Sequence, residues 1–503
     1  MPTEGGQLSE RRHEHGRDRA HPNLTLGLLA VAAVSYVLQQ TLVVPALPTI
    51  QRDLDTTMTW ATWIFTGFLL SSAIFTPLVG KLGDMYGKKR MLVLALGVFA
   101  AGTLAAALAN SIGLLIAARG LQGVGGAVFP LAFGIVRDEL PMHRVGVGLG
   151  LLSATFGVGG GAGLVLSGVI LESLDWTWLF WIGAVPVIAA AALVAAFVPE
   201  SPVRTPARLD WKGALALSAG LGALLVALSE GERWGWTSVA TLGTFGAALA
   251  ILALWVAVEL RVDEPMVDIA MMRDRGVFWT NAVAVLAGFA MFGTFLMVPT
   301  LVQFPRGLPA PLASAVDYGF GATVIVAGLY LLPASAVMLV VGPLAGIAER
   351  RLGARMLVLG GLAVLAMGGV ALALLHDSGA GIVLAMTLVG TGVGLAYAML
   401  AKLVVDSVSP AVTGVAMGMN TVMRTVGGVI GGQVGAAVLS AMTIPQAPGI
   451  PEEAAFTTTF LIAAAAAAVA VLGTLRIPRH PSGRRSPVAQ AEGVNLALGS
   501  SES

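Results

Sequence analysis

The chain has 503 residues, 56% of them hydrophobic and 11% charged, and its mean hydropathy is +0.84. Water-soluble domains carry about twice that charged share, so a soluble protein is excluded and a polytopic membrane protein is expected. The net charge of +1 names no partner, and the absence of cysteine removes disulfides, thiolate metal sites and thiol chemistry together.

Residues 1–22 read as a disordered, basic cytoplasmic tail. The apolar run that follows has the length of a full span and no clear small-residue cleavage site, so it is read as a retained first helix. Apolar windows at 24–47, 59–79, 91–109, 112–136, 145–170 and 177–198 make a first six-helix bundle over 23–200. Two additional transmembrane helices, near 212–229 and 238–259, fill 201–265. Six more windows, at 278–302, 322–345, 356–375, 380–403, 411–442 and 457–475, give a second bundle over 266–476, and 477–503 is a disordered cytoplasmic tail. These runs are apolar all round, unlike the amphipathic helices of a soluble bundle.

Charge placement tests the count, since a wrong number of spans would scramble the sidedness of every later loop. With both termini in the cytoplasm, Lys81, Lys88, Lys89, Arg90, Arg137, Arg144, Arg350, Arg351, Arg355 and Lys402 all fall inside, leaving Arg52, Arg233 and Arg306 outside. A tight basic hairpin between the second and third spans carries Gly80, Gly83, Asp84, Gly87, Lys88, Lys89 and Arg90. Its glycines suit close helix approach and a sharp reversal. Gly346, Glu349, Arg350, Arg351, Gly353 and Arg355 echo that spacing after a later span, which indicates two related halves.

The hairpin resembles the loop motif G-x-L-A-D-R-x-G-R-K of the major facilitator superfamily. Gly83 replaces its alanine, Lys88 an arginine, and Met85 stands where the family has an arginine that pairs with an acid ending the fourth helix, here Asp138. Leu115, Arg119, Gln122, Gly123 and Gly125 resemble the family's second motif. Gly150, Gly159, Gly163, Leu164, Ser167 and Gly168 resemble the fifth-helix motif of exporters, with Leu164 in place of proline and Ser167 in place of glycine. Ala46, Leu47 and Pro48, and the segment Glu264, Pro265 and Asp268, look like fourteen-span drug:proton antiporters. The resemblance implies an all-α integral membrane fold with two six-helix bundles and two inserted helices. It also implies gating by Asp84 and a fifth-helix seam that shapes the cavity.

An arginine inside an apolar span is costly and marks a wet cavity or a structural tie to carbonyls. Arg119, with Gln122 on the same face, and Arg424, four residues after Asn420, pose that choice. Phe68, Phe289, Phe292 and Phe295 are candidates to line an apolar cavity, and tryptophans near span ends, among them Trp60, Trp176, Trp178 and Trp181, read as interfacial anchors. Aligned on Ala46, Leu47 and Pro48, the subfamily's first-helix aspartate is replaced by Gln39, which cannot titrate. Asp317 is then the favoured coupling acid, against the alternative of a solvated loop carboxylate.

An enzyme is not expected. No histidine falls within a predicted span, no metal-ligand cluster is evident, and no phosphate-binding Gly-x4-Gly-Lys loop occurs, so neither cofactor nor metal is anticipated. A channel calls for a filter repeated by symmetry. The expectation is a proton-coupled exporter of hydrophobic or amphipathic small molecules, monomeric in a bacterial plasma membrane, with substrate, protons and lipid as partners and no nucleic acid. An uncoupled facilitator or lipid-like substrate carrier, and a non-transporting scaffold or sensor, stay open as alternatives.

Overall fold

A computed structural model describes residues 22–205, 210–262, 264–305, 318–445 and 450–478. Within a bilayer every backbone polar group must be satisfied inside the segment, which helices achieve. Among the described residues fourteen helices are long and apolar enough to cross. In chain order they are α1 (Pro22–Thr41), α2 (Met58–Tyr86), α3 (Lys88–Ala107), α4 (Ile112–Glu139), α5 (Met142–Ser173), α6 (Trp178–Phe197) and α7 (Trp211–Trp234). Then come α8 (Val239–Glu259), α9 (Arg275–Gln303), α10 (Val324–Leu352), α11 (Ala354–Leu375), α12 (Gly379–Ser407), α13 (Thr413–Ala441) and α14 (Glu453–Thr474). A 3-10 turn at Val124–Ala127 interrupts α4.

Helices α1–α6 and α9–α14 form two bundles, each with its own apolar core. They meet along α5 against α10 and along α2 against α13. Helix α7 lies over the second of these seams: Leu217, Leu221 and Leu225 pack with Ala73 of α2 and with Val415 and Met419 of α13. Helix α8 packs on α7, and only 17% of its apolar window is buried, the share expected of an outer helix facing lipid.

The hairpin expected at Gly80–Arg90 is almost wholly helical. Helix α2 continues through Asp84 to Tyr86 and α3 starts at Lys88, so one residue makes the turn. Gly87 has φ of 114°, a backbone state costly for any residue with a Cβ. Gly353, at φ of 78°, plays the same part between α10 and α11. Asp84 is therefore held rigidly by a helix end, where a loop position was expected.

Exposed Trp60, Trp178 and Trp181 sit at helix ends as anchors do, whereas Trp176 is buried edge-on against Phe180. Asp317 and Arg306 lie outside the described residues.

Candidate functional site

At one end of the molecule the two bundles are clasped. The first turn of α13 has backbone N–H groups without intrahelical acceptors, and the preceding Val412 has no side chain that can cap them. Asp84 supplies the cap from the other bundle: its carboxylate, 3% exposed, accepts from the N–H groups of Gly414 at 3.0 Å and Val415 at 3.0 Å. The helix dipole favours an anion there. Such proximity needs glycine on both sides, since a Cβ on Gly80 would lie 2.6 Å from the Gly414 carbonyl oxygen.

Lys88 is fully buried beneath this cap, with Nζ 2.7 Å from Asp138 and 3.5 Å from Asp84. The arginine missing at Met85 thus leaves no orphan acid; a lysine from the next helix reaches Asp138 instead. Two carboxylates around one ammonium leave an excess negative charge, which the α13 N-terminus and the Ser201 hydroxyl, a donor to Asp138, absorb. Beside them Arg137 donates to the carbonyls of Val408 (2.7 Å) and Ser409 (3.2 Å) and to the Thr413 hydroxyl (2.6 Å), a second tie between the bundles. Arg90 takes no part: its side chain is 66% exposed, and Glu200 caps α3 by accepting from the N–H groups of Lys89 and Arg90.

The echo in the second half is not a copy. Arg350 donates to the His143 carbonyl at 2.6 Å, and Lys402 is ion-paired with Glu349 at 3.8 Å and with Asp406. A cation stands where the first half has its capping carboxylate. All these basic groups gather at the same end of the molecule, linked by their own contacts.

Arg119 is fully buried, and its setting is that of a tie. Nε donates to the Ile64 carbonyl (3.1 Å), Nη1 to the Gln39 carbonyl (3.0 Å) and to Gln122 Oε1 (2.6 Å), while the Phe68 ring centroid lies 4.2 Å from Cζ. Gln122 passes the chain on to Thr103 at 2.9 Å. One guanidinium joins α1, α2 and α4. Gln39 points its amide at α6, 3.4 Å from the Leu179 carbonyl, and Asn420 binds Asn281 of α9 at 2.9 Å.

The fifth-helix motif divides between two faces. Gly146, Gly150, Gly157, Gly161 and Gly168 meet α10, where Gly146 rests on Gly346 and Gly150 on Gly342, backbone against backbone. Gly159 and Gly163 face Val37 and Thr41 of α1, and Ser167 donates to the Leu42 carbonyl at 2.7 Å. Leu164 packs at the margin of the second bundle's core. The facing glycines Gly342 and Gly414 were not singled out from sequence, and Gly346 was marked only as part of the second-half echo; the periodic signal lay in α10 and α13 but was diluted by 64 glycines in the chain.

Between the bundles is a central cavity. Its first-bundle wall is Tyr36, Gln40, Ser72, Phe129 and Phe156, and its second-bundle wall is Phe292, Tyr397, Thr421, Arg424 and Thr425. The cavity volume is only about 20 Å³, so the cavity is contracted in this conformation. Of the expected lining aromatics Phe292 alone contributes; Phe68 is packed on Arg119 and Tyr36. Arg119, Gln122, Gln39 and Asn420 lie outside this lining, while Arg424 is the single formally charged residue among the described residues that form it. Gln40, Tyr36 and Tyr397 went unremarked in the sequence, although Thr421, Arg424 and Thr425 repeat at helical spacing and mark a polar stripe.

Two helical bundles around a central cavity, with two further helices applied to one seam, define a membrane transporter of the alternating-access kind. The chain belongs to the Major Facilitator Superfamily, whose family model matches residues 29–432. It is 32% identical over 399 residues to the tetracenomycin C resistance and export protein of Streptomyces glaucescens, covering 78% of this chain and 71% of that one. It is 30% identical over 388 residues to multidrug resistance protein Stp of Mycobacterium tuberculosis, covering 76% and 70%. Among solved structures, the human organic anion transporter MFSD10 superposes with a TM-score of 0.61 at 17% identity, covering 90% of this chain and 99% of that one. The proton:xylose symporter XylE gives 0.61 at 13% identity, with 91% and 96% covered. At such identities these two bear on the fold alone.

Proposed function

We propose that this chain exports hydrophobic or amphipathic small molecules from a bacterial cell, using the proton gradient, by exposing its central cavity to each side of the plasma membrane in turn. The observation that carries this reading is the cavity itself: an aromatic-rich chamber between two bundles, contracted beside a clasp whose bonds can break as a set. A chamber walled by Tyr36, Phe129, Phe156, Phe292 and Tyr397, with polar side chains between the rings, suits flat amphipathic molecules. Relatives named for drug resistance and tetracenomycin C export support the direction.

In this reading both termini and the clasped end face the cytoplasm, because the basic residues gather there. The bundles occupy 23–200 and 266–476, with the inserted pair at 201–265, tails at 1–22 and 477–503, and the monomer as working unit. Asp84, Gly80, Gly87, Lys88 and Asp138 form the gate around the α2–α3 turn, and Arg90 serves it only through the start of α3 and Glu200. Arg119 with Gln122 holds the first bundle rigid.

Asp317 is the proposed coupling acid. A second reading, uncoupled facilitation, is favoured by the cavity's described lining, which offers a cation and no carboxylate. Proteoliposomes with an imposed pH jump decide. Coupling predicts dye accumulation that Asp317→Asn abolishes while exchange persists; equilibration without accumulation in the wild type selects the facilitator.

A further inference from the structure

Arg424 is buried, 3% exposed, halfway along α13, and it lines the cavity. Unlike Arg119 it is tied to no carbonyl: its one hydrogen bond among the described residues is a long one, 3.4 Å from Nη2 to the Thr421 hydroxyl. Its Nε and Nη1 have no acceptor among the described residues. Ring centroids of Phe156, from the first bundle, and Tyr397 lie 4.8 and 4.9 Å from its Cζ, and the buried Tyr397 hydroxyl is also without a partner.

A guanidinium with idle N–H donors inside a membrane is expensive unless something is meant to meet them. The rings offset part of that cost through cation–π attraction. They leave unspent the planar fork of donors, whose natural complement is a carboxylate or phenolate. No acid among the described lining residues supplies one.

We propose that Arg424 seats the negatively charged group of the transported molecule, and that this carrier prefers aromatic anions: a flat ring system between Phe156, Phe129 and Phe292, with its carboxylate or phenolate on the guanidinium edge that carries the idle Nη1 and the second N–H of Nη2, and an oxygen within reach of the Tyr397 hydroxyl. The idea rests on the cavity being the transport site and adds the charge of the substrate. In the contracted conformation the fork is idle; parting of the bundles draws Phe156 away and opens the seat.

Equilibrium dialysis of the purified, detergent-solubilised protein against two dyes with the same tricyclic ring tests this, empty micelles correcting for partition. Fluorescein is an anion at neutral pH, and tetramethylrhodamine methyl ester is a cation. The wild type should bind fluorescein at least about tenfold more tightly, as one charge-assisted contact implies. Arg424→Gln should lower the fluorescein-to-rhodamine affinity ratio about tenfold or more, and Arg424→Lys, which keeps charge without the fork, should keep part of it. A wild type that prefers the cation or shows no preference overturns the proposal with no variant needed, as does an unchanged ratio in Arg424→Gln. Transport of both dyes in proteoliposomes without charge preference would sink this proposal and leave the export reading standing. An Arg424-dependent preference with no transport of either dye would do the reverse.

Discussion

Lys88 shows how the clasp is balanced at the level of single residues. Removing it by Lys88→Met strands Asp84 and Asp138 side by side out of water, and breaking one partner of a buried ionic cluster costs about 3–5 kcal/mol. We expect a clear fall in melting temperature and weak transport. Asp84→Ala removes the two charge-assisted hydrogen bonds that together cap α13, each worth about 1–3 kcal/mol. Because those bonds join the bundles, the expected effect is on conformation more than on folding: cysteine labelling at Thr413 in the Asp84→Ala background should rise several-fold over the same probe with Asp84 intact. Arg119→Lys should behave differently from either, since one ammonium cannot reach Ile64, Gln39 and Gln122 with the geometry of the fork. Its signature is lost thermal stability with an unaltered spectrum of substrates; a changed spectrum with full stability would return Arg119 to the transport pathway. The motif residues of the clasp were legible in the sequence because their spacing is local. The partners of Asp84 were not, because backbone amides of a helix 330 residues away leave no trace in residue type.

At the scale of elements, the seam of α5 with α10 depends on absent side chains. Gly150→Ala and Gly346→Ala put a methyl group into the opposing backbone, and overpacking of this kind costs about 1–3 kcal/mol. More telling than the stability loss, the helices must part, so both variants should leak protons or substrate across otherwise tight proteoliposomes. Gly97→Ala and Gly360→Ala, where an added Cβ meets nothing within 4 Å, should be silent in the same assay. The sequence marked the first helix of this seam by its motif, without assigning its residues to faces. Helical geometry splits that motif: Gly159, Gly163 and Ser167 recur every four residues toward α1, while Gly150, Gly157 and Gly161 turn toward α10. Helix existence was legible throughout from apolar length. Helix ends were not, because α2, α5 and α7 run past their apolar windows as polar or glycine-containing turns.

For the molecule as a whole, sidedness and function remain coupled questions. The native chain has no cysteine, so single cysteines report cleanly. Ser201, an obvious choice for the inner side, is buried against Asp138 and should label poorly; exposed Arg204 is the better site, with exposed Asp377 for the outer side. Arg204→Cys should react only after permeabilisation and Asp377→Cys in intact cells, and the reverse pattern would invert the proposed topology. The bundle count, the inserted pair and the basic end were all readable from hydropathy and charge. The cavity was not, because its walls are drawn from seven helices whose apolar and small polar residues look alike whether they face lipid, core or substrate.

The central claim is gradient-driven movement of lipophilic molecules through that cavity, and its most direct test is uptake by purified protein in proteoliposomes with an acidic lumen. Aromatic lipophilic dyes should accumulate severalfold over protein-free vesicles, collapse to equilibrium when the gradient is dissipated, and fail to accumulate with Asp84→Ala. Movement of xylose or inorganic phosphate with no movement of any dye would contradict the account.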